Sequence, residues 1–246
     1  MNDLIYKHPM DGVRYTKPVR AADDIHFLTR EEQRKFLEAA RRSHNYNQYA
    51  LILETGLRTG EMIGLTWDAI DFENRTLTVN KTLEFRHKQH FWRAGPPKTQ
   101  QSYRTIPLTD RAFEILKGMK AGCSERKESP LLSQTLEYID RRTGASSRLV
   151  MRDLVFINWR TGEPAKNSSY DTHLYKLCDE AGIEKFCMHA LRHTYATRAI
   201  ECGVQPKVLQ KLLGHASIKT TMDRYVHVTS ESLDQAVRQV ESGRVS

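Results

Sequence analysis

The residues best suited to chemistry lie in the stretch His189-Ala-Leu-Arg192-His193. Apolar residues continue after it at a 3.6-residue spacing, which predicts a helix. His189 and Arg192 are three positions apart, so on that helix they share a face. A permanent cation beside a titratable imidazole suits a phosphate ester whose bond must gain or lose a proton. Considered alone, such a pair is more often the solvated polar face of an amphipathic helix.

A second cation, Arg58, stands in the stretch Gly56-Leu-Arg58-Thr-Gly-Glu61. This stretch predicts the start of a short helix, where exposed backbone N–H groups and an arginine together can bind a phosphate. The alternative is an Arg58–Glu61 pair on the surface, which would contribute almost nothing to stability.

A third cation, Lys98, precedes Tyr103-Arg-Thr-Ile-Pro107, a predicted strand. We expect Lys98 near a hairpin tip, where a long side chain can reach into a groove. In isolation it would be taken for an ordinary solvated lysine.

Composition limits the classes of partner. The chain has 246 residues, enough for one large domain or two small ones, and a net charge of +8. The charge favours a polyanionic partner, either nucleic acid or an anionic membrane surface. No apolar run approaches the roughly 20 residues of a membrane helix. Because the first residues lack a basic start and an apolar core, we expect no secretory leader. The four cysteines lack CxxC spacing, so we expect free thiols in or near the core.

Helices that would position these residues are predicted from apolar periodicity and end signals. The first helix starts with a capping box at Thr29–Glu32, the second covers Tyr46–Thr55 and ends at Gly56, and the third starts at Thr109-Asp110. The fourth runs from Asn167 or Ser168 to Gly182, the fifth from the His189 stretch to Gly203, and the sixth covers 204–213 and ends at Gly214.

Alternating and β-branched stretches predict three strands, at 75–80, 81–85 and 103–107, with an extended loop at 87–97. A short strand is expected at 154–157. Residues 122–153 are left open as a hairpin, a DNA clamp or a disordered loop. The fold expected is α+β and mostly helical, a helical bundle with a small three-stranded antiparallel sheet at one edge.

Four motifs, each modest alone, follow one another in a single order. They are Gly56–Glu61, Lys98 before Arg104–Leu108, His189–Thr194, and Leu213–His215 with Tyr225 ten residues on. Together they resemble the catalytic domain of the tyrosine recombinases, the phage integrase family, over about Leu28–His227. The style is closest to integrases of phages and conjugative transposons.

The resemblance implies a division of the chain. We expect residues 1–28 to be a linker or the end of a core-binding domain that is missing here. Residues 29–228 would be the catalytic domain, with 122–153 as an insertion of uncertain structure. Residues 229–246 would form an amphipathic tail helix, docking in cis or on a neighbouring protomer.

The resemblance also implies roles in the attack on a DNA phosphodiester. Tyr225 matches the nucleophile, and His189 matches the group that assists it. Arg58 and Arg192 match the two arginines that bind the phosphate. Lys98 matches the general acid that protonates the departing 5′ oxygen.

Two more residues have matching positions. His215 matches the donor to a non-bridging oxygen, and Glu61 matches an acid that orients the Arg58 region without reacting. The covalent link conserves the phosphoester energy, so neither ATP nor another cofactor is expected. The arginines neutralise charge as a metal would, so no metal is expected.

The implied partner is double-stranded DNA, with a homotetramer on paired sites. Accessory proteins that set the direction of recombination are compatible with the family, and no membrane partner is expected. The expected location is the cytoplasm of a bacterial or phage-infected cell.

Three alternatives remain at this point. His189 and His193 stand at helical i, i+4 spacing near Cys187, as in a metalloenzyme, although Ala190 replaces the glutamate of HExxH. A type IB topoisomerase would share the chemistry but relax supercoils without exchanging strands between sites. A DNA-binding module without catalysis would never form an adduct at Tyr225.

Overall fold

The computed structural model describes residues 26–125, 127–158 and 160–225. The predictions for the linker before residue 26 and for the tail helix at 229–246 lie outside the described residues.

Helices are the main secondary structure of the described chain, as predicted. They are α1 (Arg30–Ala40), α2 (Tyr46–Thr55), α3 (Thr59–Ile63), α4 (Asp110–Ala121), α5 (Asn167–Ala181), α6 (Met188–Glu201), α7 (Pro206–Leu213) and α8 (Ile218–Tyr225).

The predicted helix ends are largely confirmed. Thr29 caps α1 through a capping box with Glu32, and the Thr109 side chain caps α4. Gly56, Gly182 and Gly214 all have left-handed backbone at the ends of α2, α5 and α7. The N-cap prediction for α5 was wrong. Lys166 is the N-cap and makes no side-chain capping bond, so α5 begins at Asn167 itself.

The strands form three small antiparallel sheets. They are β1 (Ile70–Asp71), β2 (Thr76–Val79), β3 (Thr82–Arg86), β4 (Phe91–Gly95), β5 (Arg104–Pro107), β6 (Thr135–Ile139) and β7 (Ser146–Val150). One sheet has the order β1-β2-β5, and the hairpins β3-β4 and β6-β7 form two-stranded sheets.

A three-stranded sheet is present, but its membership differs from the prediction. The stretch at 82–86 leaves that sheet after the buried Lys81, whose ammonium group donates to Thr66 Oγ1 at 2.7 Å, and pairs with β4 instead. Ile70 and Asp71 supply the third strand, pairing with β2. The interpretation of 87–97 as a loop was wrong, because β4 lies within it.

The expected strand at 154–157 is also absent. Leu154 forms an isolated bridge with Thr66, and the Val155 N–H donates to the Leu65 carbonyl. The segment therefore meets residues 65–66 at one place and does not form a ladder. The uncertain segment 122–153 contains the β6-β7 hairpin, flanked by short 3-10 turns.

The core lies between the helices, and α2 is its centre. Residues 48–53 of α2 are all buried, and α2 packs against α1, α3, α4 and α6. A helix buried on all sides contributes about 1.5–3 kcal/mol for each large apolar side chain. Its C-terminal end, next to Arg58, is therefore held firmly.

The state of the cysteines and the absence of a membrane helix were both predicted from composition. The cysteines are free, but only Cys178 is buried, while Cys187 and Cys202 are exposed and therefore not in the core. Among the described residues, no helix has both the length and the apolar character needed to cross a membrane.

Candidate active site

The site is built around Glu61, in the first turn of α3. The Arg58 backbone N–H donates to Glu61 Oε2 at 2.9 Å, and Arg58 Nη1 donates to Oε1 at 2.6 Å. The side chain of Glu61 is 1% exposed, whereas that of Arg58 is 27% exposed. The pair is therefore not a solvated surface pair. Its carboxylate is buried and its guanidinium partly reaches solvent.

Two further arginines approach the same carboxylate. Arg104, at the start of β5, donates to both Glu61 oxygens, at 3.1 and 2.8 Å. Arg192, in α6, places Nη1 3.9 Å from Glu61 Oε2. We call Arg58, Glu61, Arg104 and Arg192 the arginine cluster.

The three cations hold Glu61 ionised. Burial opposes the charged form, but Arg104, Arg58 and Arg192 outweigh it and lower the pKa of Glu61 to about 2. The cluster thus keeps one negative and three positive charges at neutral pH. This net positive charge is what a bound phosphate would require.

Arg192 is held by the ends of two helices. Its Nη1 donates to the Gly56 carbonyl at 2.5 Å and its Nη2 to the Leu213 carbonyl at 2.6 Å. These carbonyls terminate α2 and α7, where the partial negative charge of the helix dipole favours a cation. The side chain is 2% exposed, so the structure buries it almost completely.

The carbonyl of Gly214 binds Arg58 to the C-terminal end of α7. This carbonyl accepts from Arg58 Nη2 at 3.2 Å and from the Ser102 hydroxyl at 3.5 Å. A Cβ at Gly214, which has φ +64°, would lie 3.0 Å from Gln101 O and 3.1 Å from Arg104 Cδ. Only glycine allows α7 to end this close to the arginines.

His215 follows directly and is buried. Its Nδ1 lies 2.9 Å from the hydroxyl oxygen of Thr221, in α8. This contact joins the segment after α7 to α8, which packs against both α6 and α7.

Tyr225 is the last residue of α8, four positions after Thr221. The structure therefore places the backbone of the predicted nucleophile one helical turn from the residue that contacts His215.

His189 lies exposed in the first turn of α6, one turn before Arg192. Its ring meets the His193 ring edge to face, with centroids 4.7 Å apart. Within the described ranges, no three His, Cys, Asp or Glu side chains form a group that could hold a metal ion.

Lys98 differs from the residues of the arginine cluster in its exposure and in the element that carries it. It is exposed, and it lies in the connection from β4 to β5, not at the tip of the β3-β4 hairpin, which falls at 87–90. We call residues 96–103 the Lys98 loop. The loop begins where β4 ends at Gly95, and its last turn, Gln100–Ser102, reaches the cluster through Ser102.

Two residues of the site were missed from the sequence. Arg104 could have been found, because strand alternation puts it in phase with the buried Ile106 and so predicts a buried cation that needs a partner. Ser102 is fully buried, accepts from Arg58 Nη1 at 3.4 Å, and follows no pattern that would have marked it.

Known proteins with similar sequences include transposases of transposons and tyrosine recombinases. The chain is 30% identical over 243 residues to the transposase from transposon Tn916 of Enterococcus faecalis, covering 94% of this chain and 55% of that protein. It is 29% identical over 242 residues to a XerC-like tyrosine recombinase of Caldanaerobacter subterraneus, covering 94% and 59%. The chain thus spans little more than half the length of these relatives.

Solved structures similar to this chain include integrases. The integrase of transposon Tn1549, in complex with transposon right end DNA, has a TM-score of 0.72 at 25% identity, covering 96% of this chain and 73% of that one. The catalytic domain of bacteriophage HP1 integrase shares the fold at TM-score 0.50 and 21% identity, covering 90% and 99%.

The model of the phage integrase family matches residues 26–232. That match includes the arginine cluster, the Lys98 loop, His189, His215 and Tyr225. This chain therefore belongs to the phage integrase family, the tyrosine recombinases.

Proposed function

We propose that this chain catalyses site-specific DNA recombination, cutting and rejoining strands of a mobile element through a 3′-phosphotyrosyl intermediate. The observation that carries the proposal is the arginine cluster, which gathers Arg58 and Arg192 around one ionised carboxylate beside Gly214 and His215. Family membership supports it, as do the relatives described as transposases and recombinases.

In this proposal Arg58 and Arg192 stabilise the phosphate. Attack on phosphorus adds negative charge to the non-bridging oxygens, and forked, permanently charged guanidinium groups match that charge best. Glu61 and Arg104 do not touch the phosphate. They hold the two guanidinium groups in place before DNA arrives, which lowers the cost of reorganisation.

Tyr225 is the proposed nucleophile. A phenol with an ordinary pKa near 10 leaves roughly one phenolate per thousand molecules at neutral pH. His189 is the group proposed to take its proton, and nearby cations favour the phenolate. The new bond joins the phenolic oxygen to phosphorus while the bond to the 5′ oxygen breaks.

Lys98 is proposed to give its proton to the departing 5′ oxygen, which would otherwise leave as a strongly basic alkoxide. His215 would donate to a non-bridging oxygen. Rejoining reverses these steps with the 5′ hydroxyl of another strand. Because the phosphotyrosyl link conserves the ester energy, the cycle consumes no ATP.

The proposed partner is double-stranded DNA, which suits the net charge of +8. Structural neighbours described as complexes of a transposon integrase with transposon right end DNA and with circular intermediate DNA support this choice. We extend the proposal to a homotetramer on two paired sites, acting in the cytoplasm, with accessory proteins setting the direction.

The test is a covalent trap. Nicked duplexes from both ends of the element that encodes the protein are first screened for binding by gel shift. Bound duplexes are then incubated with the protein, and a DNA-linked species is sought on a denaturing gel and mapped by peptide mass.

We expect an adduct at Tyr225, and we expect Tyr225→Phe to keep the gel shift while losing the adduct entirely, because only the nucleophilic oxygen is removed. A bound duplex that never yields an adduct would leave a DNA-binding module without catalysis. An adduct that persists in Tyr225→Phe would overturn the assignment of the nucleophile.

A further inference from the structure

The Lys98 loop is anchored at its two ends by the fold. At the β4 end, the Thr82 hydroxyl donates to the Gly95 carbonyl at 3.3 Å. At the β5 end, Ser102 contacts the Thr99 hydroxyl at 3.0 Å and accepts from Arg58 Nη1. Lys98 lies between these anchors.

A third anchor comes from a distant part of the chain. Arg141, in the turn of the β6-β7 hairpin, donates from Nη1 to the backbone carbonyl of Lys98 itself. The Arg141 backbone N–H donates to the Tyr103 hydroxyl at 3.0 Å, and that hydroxyl donates to Asp140 Oδ2 at 3.1 Å. The hairpin turn therefore holds the Lys98 loop at two points.

Asp140 holds the β6-β7 turn in a fixed conformation and also binds Tyr103 of the loop. Asp140 Oδ1 accepts from the backbone N–H groups of Arg142 and Thr143, both at 2.8 Å, while its other oxygen accepts from Tyr103. The Arg142 guanidinium lies 5.6 Å from the centroid of the Tyr103 ring. Burial and Asp140 raise the pKa of Tyr103, so its hydroxyl stays protonated as a donor.

We propose that the β6-β7 turn positions the general acid, with Tyr103, Asp140 and Arg141 as positioning residues that fix the backbone of Lys98. The inference rests on the proposed function, in which Lys98 protonates the leaving oxygen. The 122–153 segment, whose structure and role the sequence left open, thereby takes part in protonation of the leaving oxygen through its contacts with the Lys98 loop.

The experiment compares two nicked duplexes that differ in one atom. One has an ordinary phosphodiester at the mapped cleavage position, and the other has a 5′-bridging phosphorothioate. Sulfur leaves without protonation, so a defect confined to the general acid disappears on the second duplex. Cleavage rates of Lys98→Ala on both duplexes give the reference rescue.

We expect Tyr103→Phe to slow cleavage of the phosphodiester by about threefold to tenfold, the worth of one or two neutral hydrogen bonds. Arg141→Ala should slow it similarly. Both variants should return to the wild-type rate on the phosphorothioate. Each variant's unfolding midpoint is measured to confirm that it folds.

Matched controls come from the same hairpin. Tyr138→Phe removes a hydroxyl of β6 that makes no hydrogen bond to the described residues of the loop, and Arg148→Ala removes an equal charge from the exposed face of β7. Both should leave the ratio of the two rates unchanged.

Equal slowing of Tyr103→Phe and Arg141→Ala on both duplexes, or no slowing on either, would overturn the positioning role while leaving the reference intact. Failure of the phosphorothioate to rescue Lys98→Ala would instead overturn the general-acid assignment in the proposed function, and the present inference with it.

Discussion

The arginine cluster and the Lys98 loop supply cations to one proposed reaction, but the protein holds them in different ways. Glu61, Arg104 and Arg192 of the cluster are buried, and its guanidinium groups are bonded to a carboxylate and to the carbonyl ends of α2 and α7. Lys98 is exposed, and Arg141 binds its backbone carbonyl and not its ammonium group.

This difference suits the two tasks. Charge on the phosphate develops at a fixed place, so rigid donors set in advance are effective. A proton donor must approach a leaving oxygen that moves, so a long side chain on an exposed loop is suited to it. The comparison predicts that stability is concentrated in the cluster and that substitution of the exposed Lys98 alters the cleavage rate with little effect on stability.

The largest effect is expected from Glu61→Ala. It would leave two buried cations, Arg104 and Arg192, and the partly exposed Arg58 without their carboxylate, and removal of one partner from a buried ion pair typically costs about 3–5 kcal/mol. Urea unfolding of both proteins measures this. Glu137→Ala, an exposed carboxylate on β6, is the matched control and should change stability by less than about 0.5 kcal/mol. Similar losses for the two variants would contradict the proposed difference between the regions.

The dependence of stability on pH should show the contribution of the same carboxylate, that of Glu61. Its pKa is lowered from 4.5 to about 2 in the folded state, so its contribution to stability is present above about pH 4.5 and is lost as the pH falls toward 2. The loss should be on the order of a few kcal/mol. Urea midpoints measured across this range should fall more steeply for the wild type than for Glu61→Gln, and parallel curves would disprove the role of Glu61.

A smaller effect is expected where α7 ends against the arginines. Gly214→Ala places a Cβ in a left-handed position, about 1–2 kcal/mol of strain, and also against Gln101 O and Arg104 Cδ. Gly182→Ala, at φ +63° with open space around its Cβ, should cost the strain alone. The difference between the two unfolding free energies measures the crowding at the cluster. Equal costs would show that the neighbours yield without loss.

The smallest change in stability is expected from Lys98→Ala. Because the side chain is exposed, the free energy of unfolding should change by less than about 0.5 kcal/mol, while cleavage of an ordinary phosphodiester falls more than in any variant of the hairpin turn. A destabilisation above about 1 kcal/mol would mean that the loop is part of the folded framework.

Local sequence was enough to locate most helices. Capping residues and helix-ending glycines act within a few positions of the chain, so Thr29, Gly56 and Gly214 could be interpreted without knowledge of their neighbours. The order and spacing of Arg58, Lys98, His189, Arg192, His215 and Tyr225 were likewise enough to indicate the family, which the family model confirms. Their individual roles stay predictions.

Tertiary structure alone decided how these residues are held. Strand pairing joins segments far apart in the chain, so β1 and β4 were missed and 82–86 was assigned to the wrong sheet. Burial is likewise a property of the packed molecule. Nothing local marks Ser102 as buried or brings Arg141 to Lys98, because each contact forms only when separate elements pack together.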